Sequence, residues 1–171
     1  MIEFRPLTVA SDIDLVHGWM QQPHVVPWWD LAGPRDSTRD YLFARVQIKH
    51  RDLWIVSDGG LAVAYVETFI VPRDELSERY YAQPGDRGFN LLVGPPELLG
   101  GGTAQRVVRR LVSVLLNQPA ITRVVCECDA RNTRLLTFCR ALGAQDVAPL
   151  EGGPAATLLG WTSRAQLGDS D

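Results

Sequence analysis

The spacing of apolar and polar residues along the chain predicts alternating strands and helices. Residues 2–6 alternate between apolar and charged side chains, which is typical of an edge strand that ends at a proline. Residues 11–14 contain Ser and Asp ahead of apolar residues at helical spacing, so they indicate the start of a helix that Pro23 ends. Residues 23–29 are predicted to form an extended loop, and residues 37–50 have apolar side chains in phase for a second helix.

The middle of the chain predicts a hairpin, a short strand and a long amphipathic helix. Strands at residues 53–57 and 61–71 are joined by Asp58-Gly59-Gly60, a sequence that favours a tight turn. After a polar connection, residues 88–93 form a short apolar strand. Residues 103–117 then carry a wide apolar stripe at helical spacing.

The last part of the chain predicts a buried strand, a helix and a final strand. Residues 121–128 are an uninterrupted β-prone run, typical of a strand covered on both faces. Asn132 starts the next helix, Gly143 stops it, and a strand follows at residues 155–161, with a frayed tail after about residue 164. The order β-α-α-β-β-β-α-β-α-β predicts that the whole chain is one α/β domain, with a mixed twisted sheet flanked by helices.

Composition and charge narrow the function classes. The 171 residues include 17 basic and 20 acidic side chains, so the net charge is only −3. A nucleic-acid-binding protein needs a concentrated basic face, which this balance does not provide. No apolar run approaches the ~20 residues that span a bilayer, and the first residues lack the basic and apolar regions of a signal peptide. We therefore expect a cytoplasmic protein without nucleic-acid or membrane partners.

Three cysteines, Cys126, Cys128 and Cys139, are an odd number and exclude a complete set of intramolecular disulfides. Cys126 and Cys128 lie two residues apart in a β-prone run, so they point to the same face of a strand. A zinc site needs four ligands and wider spacing than Cys-x-Cys, and no histidine is near in sequence. We interpret the three as reduced thiols packed like small apolar side chains, and we expect no metal.

A glycine-rich turn offers a candidate phosphate site between the predicted strand at residues 88–93 and the long helix. Glycines let the backbone approach a ligand, and a helix N-terminus adds partial positive charge, so a pyrophosphate can bind there without a lysine. No Gly-Lys-Ser/Thr follows, which excludes a Walker-type loop, although a merely flexible loop is an alternative. The arginines that follow on the helix add long-range attraction for an anion. The turn and these arginines comprise Gly100, Gly101, Gly102, Thr103, Ala104, Arg106, Arg109 and Arg110.

The pattern Gly100-x-Gly102-x-Ala104, after a short strand and before an Arg-rich helix, resembles the acyl-CoA motif of the GNAT superfamily. The β-prone run followed by Asn132, Cys139 and Gly143 also matches the spacing of that family. The resemblance covers nearly the whole chain and implies the GNAT fold, with acetyl-CoA or a longer acyl-CoA as co-substrate. The family usually has Gln or Arg where this chain has Leu99, so one side-chain contact to the pyrophosphate is expected to be missing.

Within that superfamily, three segments resemble siderophore side-chain N-acyltransferases of the aerobactin and mycobactin type. Residues 23–29, Pro-His-Val-Val-Pro-Trp-Trp, look like the substrate loop of that family. Residues 86–95 are similar to its Asp-x-Gly-x-His-Leu-Leu-x-Gly-Pro segment. Residues 127–132 are similar to its Glu-Pro-Asp-x-Arg-Asn pattern, with Cys in place of Pro.

The resemblance implies which residues face the CoA. The strand that contains Leu91, Leu92 and Val93 would donate a backbone N–H to the thioester carbonyl, and pantetheine would run between it and the strand at residues 121–128. Asn132 and Cys139 are also expected to contact the CoA. Cys139 stands where many GNAT enzymes have a tyrosine that protonates the leaving thiolate, so it is either that acid or a buried inert thiol.

The expected catalytic residues are Asp129 and Asn90. Asp129 ends a strand at the edge where open α/β sheets place ligands, and it matches the aspartate of the siderophore-type pattern. We expect it to act as the base or to position the amine; the alternative is that it caps the following helix. Asn90 stands where those relatives carry His, and an amide takes no proton near neutral pH. Either Asp129 does the proton work alone, or the acceptor arrives deprotonated as a hydroxylamine largely would, or catalysis is lost.

The acceptor is expected to contact His24, Trp28 and Trp29 in the substrate loop and Glu127 on the strand face of Asp129. Alternatives are a solvent-facing histidine and tryptophans that fill the core. The resemblance favours a lysine- or ornithine-like amine or N-hydroxyamine as acceptor, and a monomer or homodimer. An aminoglycoside 6'-N-acetyltransferase is a second interpretation, and a non-catalytic acyl-CoA-binding module is a third.

Overall fold

The computed structural model describes residues 1–167 and divides the chain into two compact units. The first unit comprises Met1–Thr68 and Leu91–Val107, and the second comprises Phe69–Asn90 and the chain from Val108 onward. Two strands and one helix pass from one unit into the other, because the unit boundaries fall inside them.

Seven strands form one mixed sheet in the order β1-β2-β3-β4-β5-β7-β6. The pairs β1–β2, β5–β7 and β6–β7 are antiparallel, whereas β4–β5 is parallel. The strands are β1 (Ile2–Pro6), β2 (Arg51–Asp58), β3 (Leu61–Ile70), β4 (Asp86–Val93), β5 (Arg123–Asp129), β6 (Gln145–Leu150) and β7 (Ala156–Trp161). The α-helices are α1 (Val9–Met20), α2 (Arg35–Val46), α3 (Thr103–Leu116) and α4 (Thr133–Ala141). The predicted α/β class, a mixed sheet flanked by helices, is confirmed.

The core of the first unit forms where α1 and α2 bury their apolar faces. Val16 and Met20 of α1 and Leu42 of α2 are completely buried, together with Ile55 of β2 and Tyr65 of β3. Burial of side chains of this size stabilises a fold by about 1.5–3 kcal/mol each relative to exposure. This unit also holds the glycine-rich turn and the C-terminal part of β4.

The core of the second unit lies on both faces of β5. Val125 packs with Phe69, Val71 and Leu158 on one side of the strand. Trp161 of β7 is completely buried, and its indole N–H donates to the carbonyl of Leu142 at 2.8 Å. A strand buried in this way accounts for the uninterrupted β-prone run seen in the sequence.

The structure departs from the predicted elements at several places. Helix α1 begins at Val9 rather than within residues 11–14, and α2 ends at Val46 rather than at about residue 50. An additional strand, β6, lies between α4 and β7 at one edge of the sheet. Residues 23–29 form hydrogen-bonded turns rather than an extended loop, since the amides of Val25 and Val26 both donate to Gln22. At the tail, Arg164–Leu167 forms a 3-10 turn with Leu167 buried, whereas fraying was expected from about residue 164; residues 168–171 lie outside the described part. The extent of the domain stays a prediction.

The buried carboxylate of Asp86 links the parallel strands β4 and β5. Asp86 and Arg123 are register partners, and the Arg123 guanidinium donates to both carboxylate oxygens at 2.8 and 2.7 Å. Tyr80 Oη and the Gln83 amide also donate to the carboxylate, at 2.6 and 2.9 Å. Burial alone would raise the pKa of Asp86, but these hydrogen bonds and the Arg123 charge outweigh it and hold the pKa below its ordinary value.

Replacing Asp86 with Asn should lower the free energy of unfolding by about 3 kcal/mol near neutral pH, because it leaves the Arg123 charge without its buried partner. A depressed carboxyl pKa contributes stability above the ordinary carboxyl pKa of about 3.9, and this contribution is lost as the pH falls below that value. The difference between wild type and Asp86→Asn, measured by urea unfolding from pH 7 to pH 3, should therefore shrink with acidification.

The matched control is Asp146→Asn, which removes an exposed carboxylate paired with Arg140 at 2.8 Å. An exposed pair contributes about 0–1 kcal/mol, so this variant should unfold nearly as the wild type does. Equal losses in the two variants would contradict the role given to Asp86.

Candidate active site

The glycine-rich turn has the backbone form that an anion cradle requires. A 3-10 turn at Pro96–Leu98 ends at Leu99, whose side chain is 39% exposed. Gly100 and Gly102 both have φ of +80°, while Gly101 between them does not have a positive φ. This alternation is accessible mainly to glycine, and consecutive amides in such a conformation make a concave anion-binding surface. Helix α3 begins directly after it, at Thr103.

The first turn of α3 is held by an arginine. Arg106 donates to the Asp58 carboxylate at 2.9 and 3.1 Å and to the Thr103 hydroxyl at 3.2 Å. A contact of 3.4 Å joins the same guanidinium to the carbonyl of Gly101. Arg106 was expected to attract the ligand at long range. It also braces the turn, and Asp58 offsets part of its charge.

The C-terminal part of β4 contacts the loop at residues 23–29 through His24. The ring Nε2 lies 2.8 Å from the carbonyl oxygen of Val93, the last residue of the strand. Because a carbonyl oxygen only accepts, Nε2 carries the hydrogen, and in the neutral ring Nδ1 is then a proton acceptor. The adjacent Gly94 donates its amide to Val63 at 3.0 Å, and a Cβ on Gly94 would lie 2.1 Å from the Trp19 ring. His24 is therefore hydrogen-bonded to the end of a strand, and the next residue, Gly94, has no space for a larger side chain.

The two tryptophans of the loop at residues 23–29 have different environments. Trp29 packs edge-on against Tyr65, with ring centroids 5.7 Å apart, at the border of the first core. Trp28 is 44% exposed. Trp29 therefore corresponds to the core-filling alternative, and Trp28 is available to a ligand.

Two leucines of β4 that were expected to face the CoA differ in burial. Leu92 lies in the core of the first unit, and Leu91 is half-buried.

A buried polar network in the first unit had no counterpart in the sequence analysis. Glu67 of β3 is completely buried and accepts hydrogen bonds from the Tyr41 and Tyr65 hydroxyls at 2.6 and 2.8 Å. Its second oxygen accepts from Arg51 at 2.5 Å. Burial, with the nearby Glu67 charge, raises the pKa values of both tyrosines, so they remain hydrogen-bond donors. The one available signal was a glutamate inside an apolar strand.

Asp129 at the end of β5 is engaged by its own neighbour. Its carboxylate accepts the Arg131 backbone amide at 2.8 Å and the Arg131 guanidinium at 3.0 and 2.7 Å. The side-chain and backbone hydrogen bonds from Arg131 lower the pKa of Asp129 to about 2. A carboxylate with so low a pKa is a poor proton acceptor but a persistent negative charge. The alternative role of Asp129 was to cap the next helix. The residue that caps α4 is Asn132, whose Oδ1 accepts the Leu135 amide at 3.0 Å.

The other predicted residues of the second unit are placed as follows. Glu127 is paired with Arg79 at 2.5 Å, and Arg79 also donates to the carbonyl of Glu151 at 3.0 Å. Cys139 on α4 is buried, with its Sγ 3.8 Å from that of Cys126. Asn90 lies half-buried on β4. The pairing of Glu127 with Arg79 spans 48 residues of sequence and could not be read from local spacing.

The predicted site residues divide between the two units. The first unit contains the turn at residues 99–104, the strand residues Leu91, Leu92 and Val93, and the loop residues His24, Trp28 and Trp29. The second unit contains Asn90, Glu127, Asp129, Asn132 and Cys139. Within the first unit His24 contacts Val93, and the catalytic roles stay predictions.

Residues 8–151 match the family model of the acetyltransferase (GNAT) domain. The chain belongs to the GNAT family. Lysine N-acyltransferase MbtK of Mycolicibacterium paratuberculosis is 33% identical to this GNAT protein over 142 residues, which are 80% of this chain and 64% of that protein. The N-hydroxyputrescine acetyltransferase of Acinetobacter baumannii is 30% identical over 125 residues, which are 73% of this chain and 60% of that protein. The GNAT chain thus spans less than two thirds of the length of both relatives.

Among solved structures, the aminoglycoside acetyltransferase AAC(6')-Ib in complex with coenzyme A and kanamycin has a TM-score of 0.85 to this GNAT protein, with 21% identity. The match covers 96% of each chain. It shows that the two proteins share the GNAT fold. Within residues 1–167, no helix is both long enough and apolar enough to cross a membrane.

The turn geometry predicts different responses to two neighbouring alanine substitutions. Gly102→Ala places a Cβ on a residue with φ of +80°, which costs about 1–2 kcal/mol of stability. Gly101→Ala, at a residue without positive φ whose Cβ would meet nothing nearer than 3.7 Å, should be neutral or slightly stabilising. Urea unfolding of the two variants measures the difference, and a Gly101→Ala variant as unstable as Gly102→Ala would contradict this geometry.

Proposed function

We propose that this GNAT protein transfers an acetyl or longer acyl group from acyl-CoA to the primary amine or N-hydroxyamine of a small lysine- or ornithine-like molecule. The reaction serves siderophore or related secondary-metabolite biosynthesis, in the cytoplasm. The observation that carries the proposal is the turn at Gly100–Gly102 ahead of α3, within a chain that matches the GNAT family model. The names of the two relatives, a lysine N-acyltransferase and an N-hydroxyputrescine acetyltransferase, support the acceptor class.

The donor is bound mainly through backbone atoms. The amides of the turn and the N-terminus of α3 hold the pyrophosphate, with Thr103 and Ala104 as the first helical residues. Leu99 supplies no polar side chain, so the charge of the pyrophosphate is met by the turn and by the arginines of α3. Pantetheine follows β4 at Leu91, Leu92 and Val93, and Asn132 contributes from the CoA side. Cys139 is 1% exposed, so we assign it the other expected role, that of a buried thiol away from the CoA.

The pairing of Glu127 counts against a polycationic aminoglycoside as the acceptor. An aminoglycoside needs several carboxylates that are available to its ammonium groups, and Glu127 is already paired with Arg79. The aminoglycoside 6'-N-acetyltransferase is therefore the second candidate, kept by the fold shared with AAC(6')-Ib. A non-catalytic acyl-CoA-binding module is the third.

The chemistry requires one proton to leave the amine while its nitrogen attacks the thioester carbonyl. The C–N bond forms, the C–S bond breaks, and the CoA thiolate takes up a proton. We assign the proton acceptor to His24, whose Nε2 is held by Val93 and whose Nδ1 is the basic atom of the neutral ring. Asp129, whose carboxylate is paired with Arg131, positions the amine by accepting a hydrogen bond. Asn90 orients the amine or the carbonyl by hydrogen bonds.

Incubation with acetyl-CoA or longer acyl-CoAs and a panel of amines tests the function. The panel is lysine, N-hydroxylysine, ornithine and kanamycin, and the readout is release of the CoA thiol. We expect turnover with the lysine- or ornithine-type acceptors, and a weaker acyl-CoA affinity in Gly102→Ala than in Gly101→Ala. Preferential turnover of kanamycin would support the second candidate, and CoA binding without any turnover would support the third.

His24→Ala should lower kcat/KM for a primary amine by about 10²-fold or more, as expected for loss of a general base. His24→Gln is the matched control, because its amide can still donate to Val93 but takes no proton near neutral pH. Both variants should lose less activity with an N-hydroxyamine, which arrives deprotonated. If His24→Gln keeps the wild-type kcat/KM for a primary amine, the base is another group.

A further inference from the structure

Three buried thiols of the second unit converge on one point. Cys126 and Cys128 lie on one face of β5, and Cys139 faces them from α4. The exposed fractions of the three residues are 5%, 0% and 1%. Sγ of Cys126 is 3.4 Å from that of Cys128 and 3.8 Å from that of Cys139, and all three sulfurs lie within 4.8 Å of one another. Spacing along the chain had shown only the Cys-x-Cys pair.

The sulfur triangle has nearly the size that a metal ion imposes. With metal–sulfur bonds of about 2.3 Å, three thiolates around a central ion lie about 3.8–4.0 Å from one another. Two of the separations, 3.4 and 3.8 Å, lie at or just below that range and the third is at most 4.8 Å, so side-chain shifts of no more than about 1 Å close the site. We propose that Cys126, Cys128 and Cys139 form a three-thiolate site for one thiophilic monovalent ion, with Cu(I) as the ion that fits.

The donor set selects among metals. Soft thiolate ligands favour Cu(I), whereas structural zinc sites are almost always closed by four ligands. Within residues 1–167, the cluster of possible ligand atoms comprises these three sulfurs, with no histidine or carboxylate among them. All three residues are buried, so water has little access to act as a fourth ligand. Three thiolates complete the coordination of Cu(I), whereas Zn(II) would lack its fourth ligand.

Metal binding requires the thiols to lose their protons, because the thiolate is the ligand. Cu(I) forms three Cu–S bonds and displaces the three thiol protons to solvent, with no change in oxidation state.

A bound ion would join two elements that are otherwise linked by packing. Cys126 and Cys128 belong to β5, and Cys139 lies in the second half of α4, whose N-terminus Asn132 caps. Binding to the native state alone raises its stability by mass action. The site requires no acyl transfer, so its test is independent of the proposed function.

The test uses the reduced full-length protein under anaerobic conditions. Cu(I) is supplied as its complex with bathocuproine disulfonate, and transfer to the protein is read from the loss of chelator colour. We expect one Cu(I) per chain, a raised Tm, and an X-ray absorption spectrum of three sulfur ligands at about 2.3 Å. Zn(II) should bind at least 100-fold more weakly. Failure to take Cu(I) from the chelator, or a spectrum with nitrogen or oxygen ligands, would overturn the proposal.

Variants separate the cluster from other ligands. Cys139→Ala and Cys126→Ala should each weaken Cu(I) binding at least 100-fold. Val124→Ala is the matched control, because Val124 is completely buried two residues before Cys126 on the same face of β5 and carries no sulfur. It should lower stability and still bind one Cu(I). If a cysteine variant does not fold, the absorption spectrum of the wild type decides alone, and undiminished binding in a folded Cys139→Ala variant would refute the site.

Discussion

The carboxylate of Asp86 is the constraint on which the arrangement of the second unit depends. It sits at the first residue of β4, fully desolvated, and takes hydrogen bonds from Arg123, Tyr80 and the Gln83 amide. A buried charge with this many partners tolerates little displacement, because any shift leaves one of them unsatisfied. Since Asp86 and Arg123 are also partners in the parallel ladder, the pair sets the register of β4 and β5. The positions of Asn90 along β4 and of Asp129 along β5 follow from that register.

Periodicity predicted those elements whose burial depends on a repeating apolar face. The stripe of α3, the hairpin of β2 and β3, and α4 between Asn132 and Gly143 were all found where the pattern placed them. The sequence pattern did not predict β6 because it is an edge strand. It contains the charged Asp146 and Pro149, and neither residue type is tolerated in the centre of a sheet. The turns at residues 23–29 were not predicted because their hydrogen bonds join backbone atoms and require no repeating pattern of apolar residues.

The candidate site was predictable on the donor side and much less so on the acceptor side. A glycine with positive φ before a helix leaves a signature in the sequence, as Gly100 and Gly102 did. The partner of a long charged side chain leaves none, because it is chosen by tertiary structure. The ion pairs of Asp129 with Arg131 and of Glu127 with Arg79 are examples, and the roles of Asp129 as base or amine-positioning group stay predictions. The hydrogen bond between His24 and Val93, 69 residues away, could not be predicted for the same reason.

The irregular edge at β6 has a consequence for self-association. Pairing with β7 shifts register between Asp146 and Ala148, and Pro149 has no amide hydrogen to offer to another strand. An incoming strand would meet a bent backbone with an interrupted row of donors, so sheet extension through β6 is blocked. Copies of this chain that meet at this edge must therefore associate through side chains, and the β6 edge resists the fibrous aggregation to which flat, open sheet edges are prone.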